Sequence, residues 1–241
     1  MELRVAGETV TVTMRTTGND FELAVGYCLA EGLQEATEDL ESIRYCSGVD
    51  AQGHNTYNVV EVSRRGGAVP ASLRRDGLTS SACGLCGTTS LADVRRRTGD
   101  VSADAVRIPP EVLAGLPEAL RTSQDVFDRT GGLHAAGLFD AAGTLLCLRE
   151  DVGRHNAVDK VVGWAALQGR LPLRGHVLMV SGRVAFEIVQ KALVAGIPIV
   201  AAVSAPSSLA VDLAAQAGLT LVGFLRGERM NVYAGAHRLL A

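Results

Sequence analysis

The chain has few aromatic residues, little net charge and no long uninterrupted apolar run. Aromatic residues make up only 4% of the 241 residues, while hydrophobic residues of all types make up 47%. This composition predicts a folded α/β protein, either one large domain or a domain with a smaller lobe. The formal net charge of −3 argues against broad binding to nucleic acid or to a membrane surface. The longest apolar tract, Ala192 to Ala205, is interrupted by Gly196 and Pro198, so no segment is typical of a membrane span.

The N-terminus lacks the apolar segment that a signal peptide requires, since Met1 to Arg4 begins a polar strand. The cysteine content is also low and odd in number, which excludes a disulfide framework and suits a reducing cytosol. We therefore expect a soluble, cytoplasmic protein. The five cysteines are Cys28, Cys46, Cys83, Cys86 and Cys147.

Three familiar site motifs are missing. The sequence contains no G-x-G-x-x-G and no Walker A motif, which excludes the common dinucleotide-binding and NTPase assignments. Zinc-dependent nucleobase deaminases need His-x-Glu followed by Pro-Cys-x-x-Cys. Here His134-Ala135-Ala136 has no glutamate, and the Cys-x-x-Cys pair lies upstream of it. Zinc-dependent deamination is therefore not expected.

A glycine-flanked cysteine pair, Cys83-Gly84-Leu85-Cys86-Gly87, is the most distinctive stretch that is present. Such a pair can hold half of a zinc site, carry out dithiol–disulfide chemistry or carry a sulfane sulfur. In each case the thiolate is the reactive form, and a neighbouring thiol lowers its pKa. Downstream, Arg95-Arg96-Arg97 either ends a solvated helix or supplies a positive field that keeps a thiolate ionised.

The chain before this pair predicts a small α+β lobe. Residues 8–14 alternate as a half-buried strand does, residues 21–31 have a helical pattern, and residues 58–62 form another strand. We predict a lobe at residues 1–75, a mobile Cys-x-x-Cys loop at 76–100 and an α/β core at 101–241.

The C-terminal half alternates buried strands with helices, which indicates βαβ units around a mostly parallel or mixed sheet. Two helices, starting near Pro110 and at Asp125, precede it. The predicted strands are 143–148, 176–180, 197–203 and 219–224, and the predicted helices are 156–167, 184–195 and 208–217.

Polar residues follow each predicted strand, at 150–155, 181–183, 204–207 and 226–229. Ligands bind at the carboxyl edge of open α/β sheets, so these loops predict a site for a nucleotide or phosphorylated cofactor. Backbone N–H groups at the helix starts after Ser181-Gly182 and at Ser207-Ser208 would suit a phosphate.

The sequence resembles the FdhD family, the sulfurtransferases that serve formate dehydrogenase, over nearly its whole length. The chain begins close to the first matching strand, which leaves room for a longer native N-terminus. The matching motifs are Met14-Arg15-Thr16, Glu22 to Tyr27, Cys83 to Gly87, Gly132 to Ala136, Glu150 to Lys160, Ser181-Gly182-Arg183 and Gly223 to Tyr233.

The resemblance implies a cytidine-deaminase-like core without the deaminase zinc site, and a homodimer. Proteins of the family take a sulfane sulfur from a cysteine desulfurase as a cysteine persulfide. They pass it to the molybdenum cofactor, bis-molybdopterin guanine dinucleotide, before that cofactor enters formate dehydrogenase. By this resemblance Cys83 is the persulfide cysteine, and the segment Phe224 to Arg229 contacts the cofactor.

The expected site therefore combines the cysteine pair with an anion-binding cleft and holds no intrinsic metal. Cys86 either tunes the pKa of Cys83 or attacks its persulfide to release sulfide. GDP is expected to bind as a fragment that mimics the cofactor, with arginines contacting its phosphates. The predicted cofactor-binding residues are Arg154, Ser181, Gly182, Arg183, Phe224, Leu225, Arg226, Gly227, Glu228 and Arg229.

Two other functions remain open at this stage. A thiol–disulfide oxidoreductase would use the same cysteine pair, although the order of helices and strands is not that of thioredoxin. A molybdenum-cofactor-binding chaperone would need the carboxyl-edge loops but not Cys83. His155 fits either a proton shuttle or a structural loop histidine.

Overall fold

The structure, a computed structural model, describes residues 1–33, 39–46, 48–49, 52–65 and 99–240. Cys83, Cys86 and the arginine triplet lie outside the described residues. The predicted lobe boundary at residue 75 also lies outside them, so the division into domains stays a prediction.

The N-terminal part forms a four-stranded sheet with one helix against it. The sheet has the order β2-β1-β4-β3, with β1 and β4 parallel and the other pairs antiparallel. In β1, Leu3 and Val5 are buried while Glu2 and Arg4 are half-buried, as the two-residue period of a strand requires. The elements are β1 (Glu2–Val5), β2 (Glu8–Val12), α1 (Asp20–Ala30), β3 (Leu40–Tyr45) and β4 (Val59–Arg64).

The larger sheet has six strands in the order β10-β9-β8-β7-β5-β6. Only β7, β8 and β9 pair in parallel, and the hairpins β5–β6 and β9–β10 make both sides of the sheet antiparallel. The mixed α/β class predicted from the sequence is thus confirmed, with the parallel part limited to the centre. The strands are β5 (His134–Phe139), β6 (Leu145–Asp151), β7 (Val177–Val180), β8 (Ile199–Ala202), β9 (Thr220–Arg226) and β10 (Arg229–Ala234).

Helices cover both faces of this sheet and bury a separate apolar cluster on each. On one face, Ala136 of β5 packs in the cluster formed with α4, α5 and α6. On the other face, Ala135 and Phe139 pack with Leu116 and Leu120 of α2. The helices are α2 (Pro110–Thr122), α3 (Asp125–Thr130), α4 (Arg154–Leu167), α5 (Phe186–Val194) and α6 (Ser208–Gln216).

The N-terminal sheet is joined to the core through a close crossing of α1 and α4. A Cβ atom on Gly26 would overlap the backbone of Asp159, and one on Gly163 would overlap the backbone of Glu22. Glycine at both positions lets the two helix backbones touch. Val25 of α1 consequently belongs to the main apolar cluster of the core.

Two strands were not predicted from the sequence, and the bounds of other elements are shifted. β5 was not predicted, because its Ala-Ala-Gly stretch has none of the β-branched residues that mark a strand. β10 was not predicted either, and it forms the outer strand of the hairpin that follows β9. The strand predicted at 143–148 is observed at Leu145–Asp151, and the helix predicted from 184 begins at Phe186.

Candidate functional site

The four strand ends that the sequence singled out meet at one edge of the six-stranded sheet. β6 is antiparallel to β5, and β5 is antiparallel to β7, so β6 points in the same direction as β7, β8 and β9. The first residue of β5, His134, pairs with Asp151 at the end of β6 and therefore lies at the same edge. The structure thus places the polar loops side by side, as predicted.

An open cleft of about 740 Å³ lies between this edge and helices α2 and α3. That volume lies within the range of pockets that hold small ligands and cofactors. The apolar lining residues include Pro117, Leu120, Phe127, Leu133 and Val203. The polar lining residues are Glu118, Arg121, Gln124, His134 and Ser181.

Gln124 lines this cleft and was not predicted as a site residue. The residue as a whole is only 3% exposed. It occupies the N-cap position of α3 but makes no capping hydrogen bond. The carboxylate of Glu150 performs that role, because Oε2 accepts from Val126 N at 2.8 Å and Oε1 accepts from Phe127 N at 2.7 Å. No motif or spacing in the sequence distinguishes Gln124 from an ordinary helix-start residue.

Basic groups gather beside the cleft around Gly182. A Cβ atom on Gly182 would lie 3.1 Å from His134 Nδ1 and 3.6 Å from Arg154 Cδ. Burial lowers the pKa of His134, and the charges of Arg154, His155 and Arg183 lower it further. The imidazole is therefore mainly neutral near pH 7.

Arg154 carries a charge that the described residues compensate only weakly. Burial lowers its pKa, and the charge of Arg183 acts in the same direction, while Glu187 opposes both. Its Nε is buried and has no hydrogen-bond partner among the described residues. Arg183 itself is exposed. This end of the sheet is consequently suited to an anion.

The His155 side chain lies next to Glu187, and His155 is not among the described residues that line the cleft. Its Nε2 lies 3.7 Å from Glu187 Oε2, which is longer than a hydrogen bond. The side chain has no hydrogen bond to that nitrogen within the described part of the chain. A proton-shuttle role for His155 stays a prediction.

The helix predicted to start after Ser181-Gly182 starts further along the chain, while a phosphate site at these two residues stays a prediction. Ser181 continues the strand pairing, since its N donates to Ala135 O at 3.0 Å and its Oγ accepts from Ala135 N at 2.9 Å. Helix α5 starts only at Phe186. At the other predicted helix start, Ser207 caps its own helix by accepting from Ala210 N at 3.2 Å.

The segment Phe224 to Arg229 forms the end of β9 and its turn into β10, beside the cleft. Arg226 pairs with Arg229 across this hairpin, and both arginines are exposed, as is Glu228. Gly227 has a φ of +53° and lines the cleft. Phe224 is 44% exposed and has a φ of +51°, which is unusual for a residue other than glycine.

Leu225 differs from its neighbours in this segment because its side chain is fully buried in the apolar cluster under α2. The whole residue, backbone included, is 0% exposed, so Leu225 offers no surface to a ligand in this structure.

The Glu150 to Lys160 block, which is the most family-specific motif, mainly joins the core to the N-terminal part. Lys160 Nζ lies 2.8 Å from Asp151 Oδ2, and the two side chains are 1% and 0% exposed. Asp151 also accepts hydrogen bonds from Thr16 N at 3.1 Å, Gly153 N at 2.9 Å and Asn156 Nδ2 at 3.0 Å. Thr16 lies between β2 and α1, so this buried pair fixes the N-terminal part onto β6 and α4.

The three cysteines outside the Cys83–Cys86 motif are free. Burial raises the pKa of Cys28 and the pKa of Cys147 to about 12 in each case. Cys46 is half-buried. Thiols with a pKa of about 12 hold almost no thiolate at pH 7, so Cys28 and Cys147 are poor nucleophiles.

The described ranges contain neither a cluster of metal-binding side chains nor a helix suited to a membrane. No group of three or more His, Cys, Asp and Glu side chains there is arranged to hold a metal ion. No helix among the same residues is long and apolar enough to cross a membrane.

Comparison with known proteins gives one consistent result. The family model for FdhD/NarQ proteins matches residues 1–240. A sulfur carrier protein FdhD of Nocardia farcinica is 59% identical over 99% of this chain and 85% of its own length. The protein of the same name from Streptomyces avermitilis is 56% identical over 99% of this chain and 86% of its own length.

A solved structure is similar over almost the same extent. It is the crystal structure of a putative formate dehydrogenase accessory protein from Desulfotalea psychrophila, with a TM-score of 0.76 and 26% sequence identity. The match covers 99% of this chain and 87% of that one.

Proposed function

The chain belongs to the FdhD/NarQ family, and from this premise we propose that it is a sulfur carrier that serves formate dehydrogenase. The observation that carries the proposal is its similarity, over 99% of its length, to relatives named sulfur carrier proteins. We propose further that it acts as a sulfurtransferase of the persulfide type, with Cys83 as the carrier.

The first step is acceptance of sulfur from a cysteine desulfurase. The Cys83 thiolate attacks the outer sulfur of the desulfurase persulfide, and a new sulfur–sulfur bond forms on Cys83. The sulfur–sulfur bond of the donor breaks, and the donor cysteine leaves as a thiolate. The raised pKa values of Cys28 and Cys147 support this assignment, because they leave few other candidates for the nucleophile.

The second step is delivery of that sulfur to the molybdenum cofactor, the client of the protein. We propose that part of this cofactor, bis-molybdopterin guanine dinucleotide, binds in the cleft at the carboxyl edge. The partly compensated charge of Arg154 and the exposed Arg183, Arg226 and Arg229 supports a site for its phosphates. GDP is the soluble fragment that would occupy the same place.

The partners in this proposal are a cysteine desulfurase and formate dehydrogenase, and the working form is a cytoplasmic homodimer. A cofactor-binding chaperone that does not transfer sulfur is the second candidate, and the cleft supports it because that role needs the carboxyl-edge loops but not Cys83.

The proposal is tested by measuring the mass of the intact protein after incubation with a cysteine desulfurase and cysteine. The wild type should gain one sulfur atom, and peptide mass spectrometry should place it on Cys83. Cys83→Ala should gain none and should abolish formate dehydrogenase maturation in cells, while Cys86→Ala should weaken maturation less.

Two results would contradict the proposal. Sulfur gained by Cys83→Ala would show that another residue is the carrier. Full maturation with Cys83→Ala would instead support the chaperone without sulfur transfer.

A further inference from the structure

Gln124 lines the cleft, and the protein itself does not use the side-chain amide of this residue. The residue is 3% exposed and lines the cleft. It makes no capping bond to α3, and none of the side-chain hydrogen bonds found among the described residues involves its amide. The amide atoms are not among the buried polar atoms that lack a partner in the described residues, so they reach the solvent of the cleft, where a ligand can replace water as their partner.

The position of this amide is set by the residues around it. Glu150 already accepts from the N–H groups of Val126 and Phe127, which are the groups that an N-cap side chain would otherwise bind. The backbone of Gln124 is held as well, because its N donates to Arg121 O at 3.3 Å and its O accepts from Asp128 N at 3.1 Å. The amide is thus left over on a fixed backbone.

The surroundings of Gln124 indicate what kind of group it would meet. Phe127 and Leu133 line the same cleft with Pro117, and these surfaces suit a flat, largely apolar ring. An amide offers one acceptor and two donors in a plane. It therefore forms two parallel hydrogen bonds with a ring edge on which an N–H lies next to a C=O.

We propose that Gln124 is a specificity-determining residue of the cleft, and that it binds the N–H and C=O edge of a 2-amino-4-oxopyrimidine ring. Guanine and pterin share this ring edge, and the client in the proposed function contains both. The inference rests on that proposed function for the identity of the ring. The amide oxygen accepts from the ring N–H, and the amide N–H donates to the ring carbonyl.

The test compares ligands and variants of the full-length protein by calorimetry. GMP and neopterin represent the two sources of the ring edge, and GMP methylated at N1 lacks the N–H and blocks that edge. Gln124→Met replaces the amide with an apolar chain of similar length. Gln216→Met, at an exposed position at the end of α6, is the matched control.

We expect the wild type to bind GMP about tenfold to a hundredfold more tightly than N1-methyl-GMP, the range for two lost hydrogen bonds. Gln124→Met should bind both equally, because the interaction that distinguishes them is gone. Gln216→Met should behave as the wild type. If neopterin rather than GMP loses affinity in Gln124→Met, the ring is the pterin.

A readout of stability separates this role from a structural one. Replacing an unpartnered amide with an apolar chain of similar shape should leave the melting temperature unchanged or raise it. Gln124→Ala, which cannot clash with its neighbours, is the second variant if Gln124→Met does not fold. Two results would overturn the proposal: a wild type that binds neither GMP nor neopterin, or a Gln124→Met variant that binds each of them as tightly as the wild type does.

The same samples distinguish this inference from the proposed function. Gln124→Met should still gain sulfur on Cys83 by intact mass, since the residue is not part of that step. Loss of ring binding with normal sulfur gain supports the inference alone. If the wild type binds the ring through Gln124 but never gains sulfur, the inference stands and the proposed sulfur transfer is rejected.

Discussion

The buried pair of Asp151 and Lys160 gives the most quantitative prediction of the structure. Lys160 is 1% exposed, and its Nζ also donates to Thr16 O at 2.9 Å and to Glu150 O at 3.2 Å. Lys160→Met removes all three contacts and leaves the Asp151 carboxylate buried without its cation. The perturbation therefore breaks the joint between β6, α4 and the segment before α1.

The expected loss is large because a buried charge is left without its partner. Breaking one member of such a pair costs about 3–5 kcal/mol of unfolding free energy. In a chain of this size each kcal/mol shifts the melting temperature by about 2–4 °C, so we expect a decrease of roughly 6–20 °C. Adding Asp151→Leu to Lys160→Met should not restore stability. Asp151 also binds Thr16 N and Gly153 N, and these donors would then be unsatisfied.

The assay is thermal and urea unfolding of wild type, Lys160→Met and Arg4→Met. Arg4 belongs to a pair with Glu2 at 2.7 Å that is only partly buried, and its replacement should lower the melting temperature far less than Lys160→Met does. At a temperature at which Lys160→Met is folded, it should still gain sulfur on Cys83. An unchanged melting temperature in Lys160→Met would refute the conclusion that the Asp151–Lys160 pair holds the N-terminal part against β6 and α4. Normal stability with lost sulfur gain would make this block part of the chemistry instead.

Three further predictions concern the cysteines, the hairpin arginines and the neutral histidine. A variant that keeps only Cys83 and Cys86 should support formate dehydrogenase maturation, and failure of a folded variant would assign a role to one of the other cysteines. Arg226→Ala and Arg229→Ala should each weaken GDP binding about tenfold to a hundredfold by calorimetry, the range for a hydrogen bond to a charged group. Added salt should also weaken binding, while unchanged affinity in both variants would move the site away from the hairpin. Because the pKa of His134 is lowered in the folded state, the unfolded chain takes up its proton first as pH falls below about 6.5. The wild type should therefore lose more melting temperature between pH 7.5 and 5.5 than His134→Gln, and parallel losses would contradict the assignment.

The parts of the fold that local patterns encode could be predicted from the sequence. The alternation of buried strands and helices after residue 138 predicted the strands that became β6 to β9, with bounds that shifted by a few residues. Right-handed βαβ connections then bring their carboxyl ends to one edge. The family block beginning at Glu150 was also identified, but its role in joining the two parts depends on Thr16, which is far away in sequence. No local pattern encodes that contact.

The same reasoning explains why the two lysines of the chain were not singled out. A lysine is usually exposed, so Lys160 and Lys191 look like surface residues in the sequence. In the structure both are buried, Lys160 against Asp151 and Lys191 with its Nζ 2.6 Å from Asp159 Oδ1. All other Lys/Arg positions are arginine. Only the packed helices show that each of these ammonium groups has a buried carboxylate beside it.

The place of Gln124 in the cleft could not be predicted from the sequence, and the reason is physical. A glutamine at the start of a short helix predicts either solvent exposure or a weak helix cap, and both depend only on residues nearby in the sequence. Its availability to a ligand depends on Glu150, which reaches from β6 to cap α3 in its place. Glu150 in turn was expected to face a ligand at the carboxyl edge, and it instead fixes the wall of the cleft. The charged side chain of Glu150, in the motif, therefore has a structural role, and in our proposal the neutral side chain of Gln124, outside the motif, contacts the ligand.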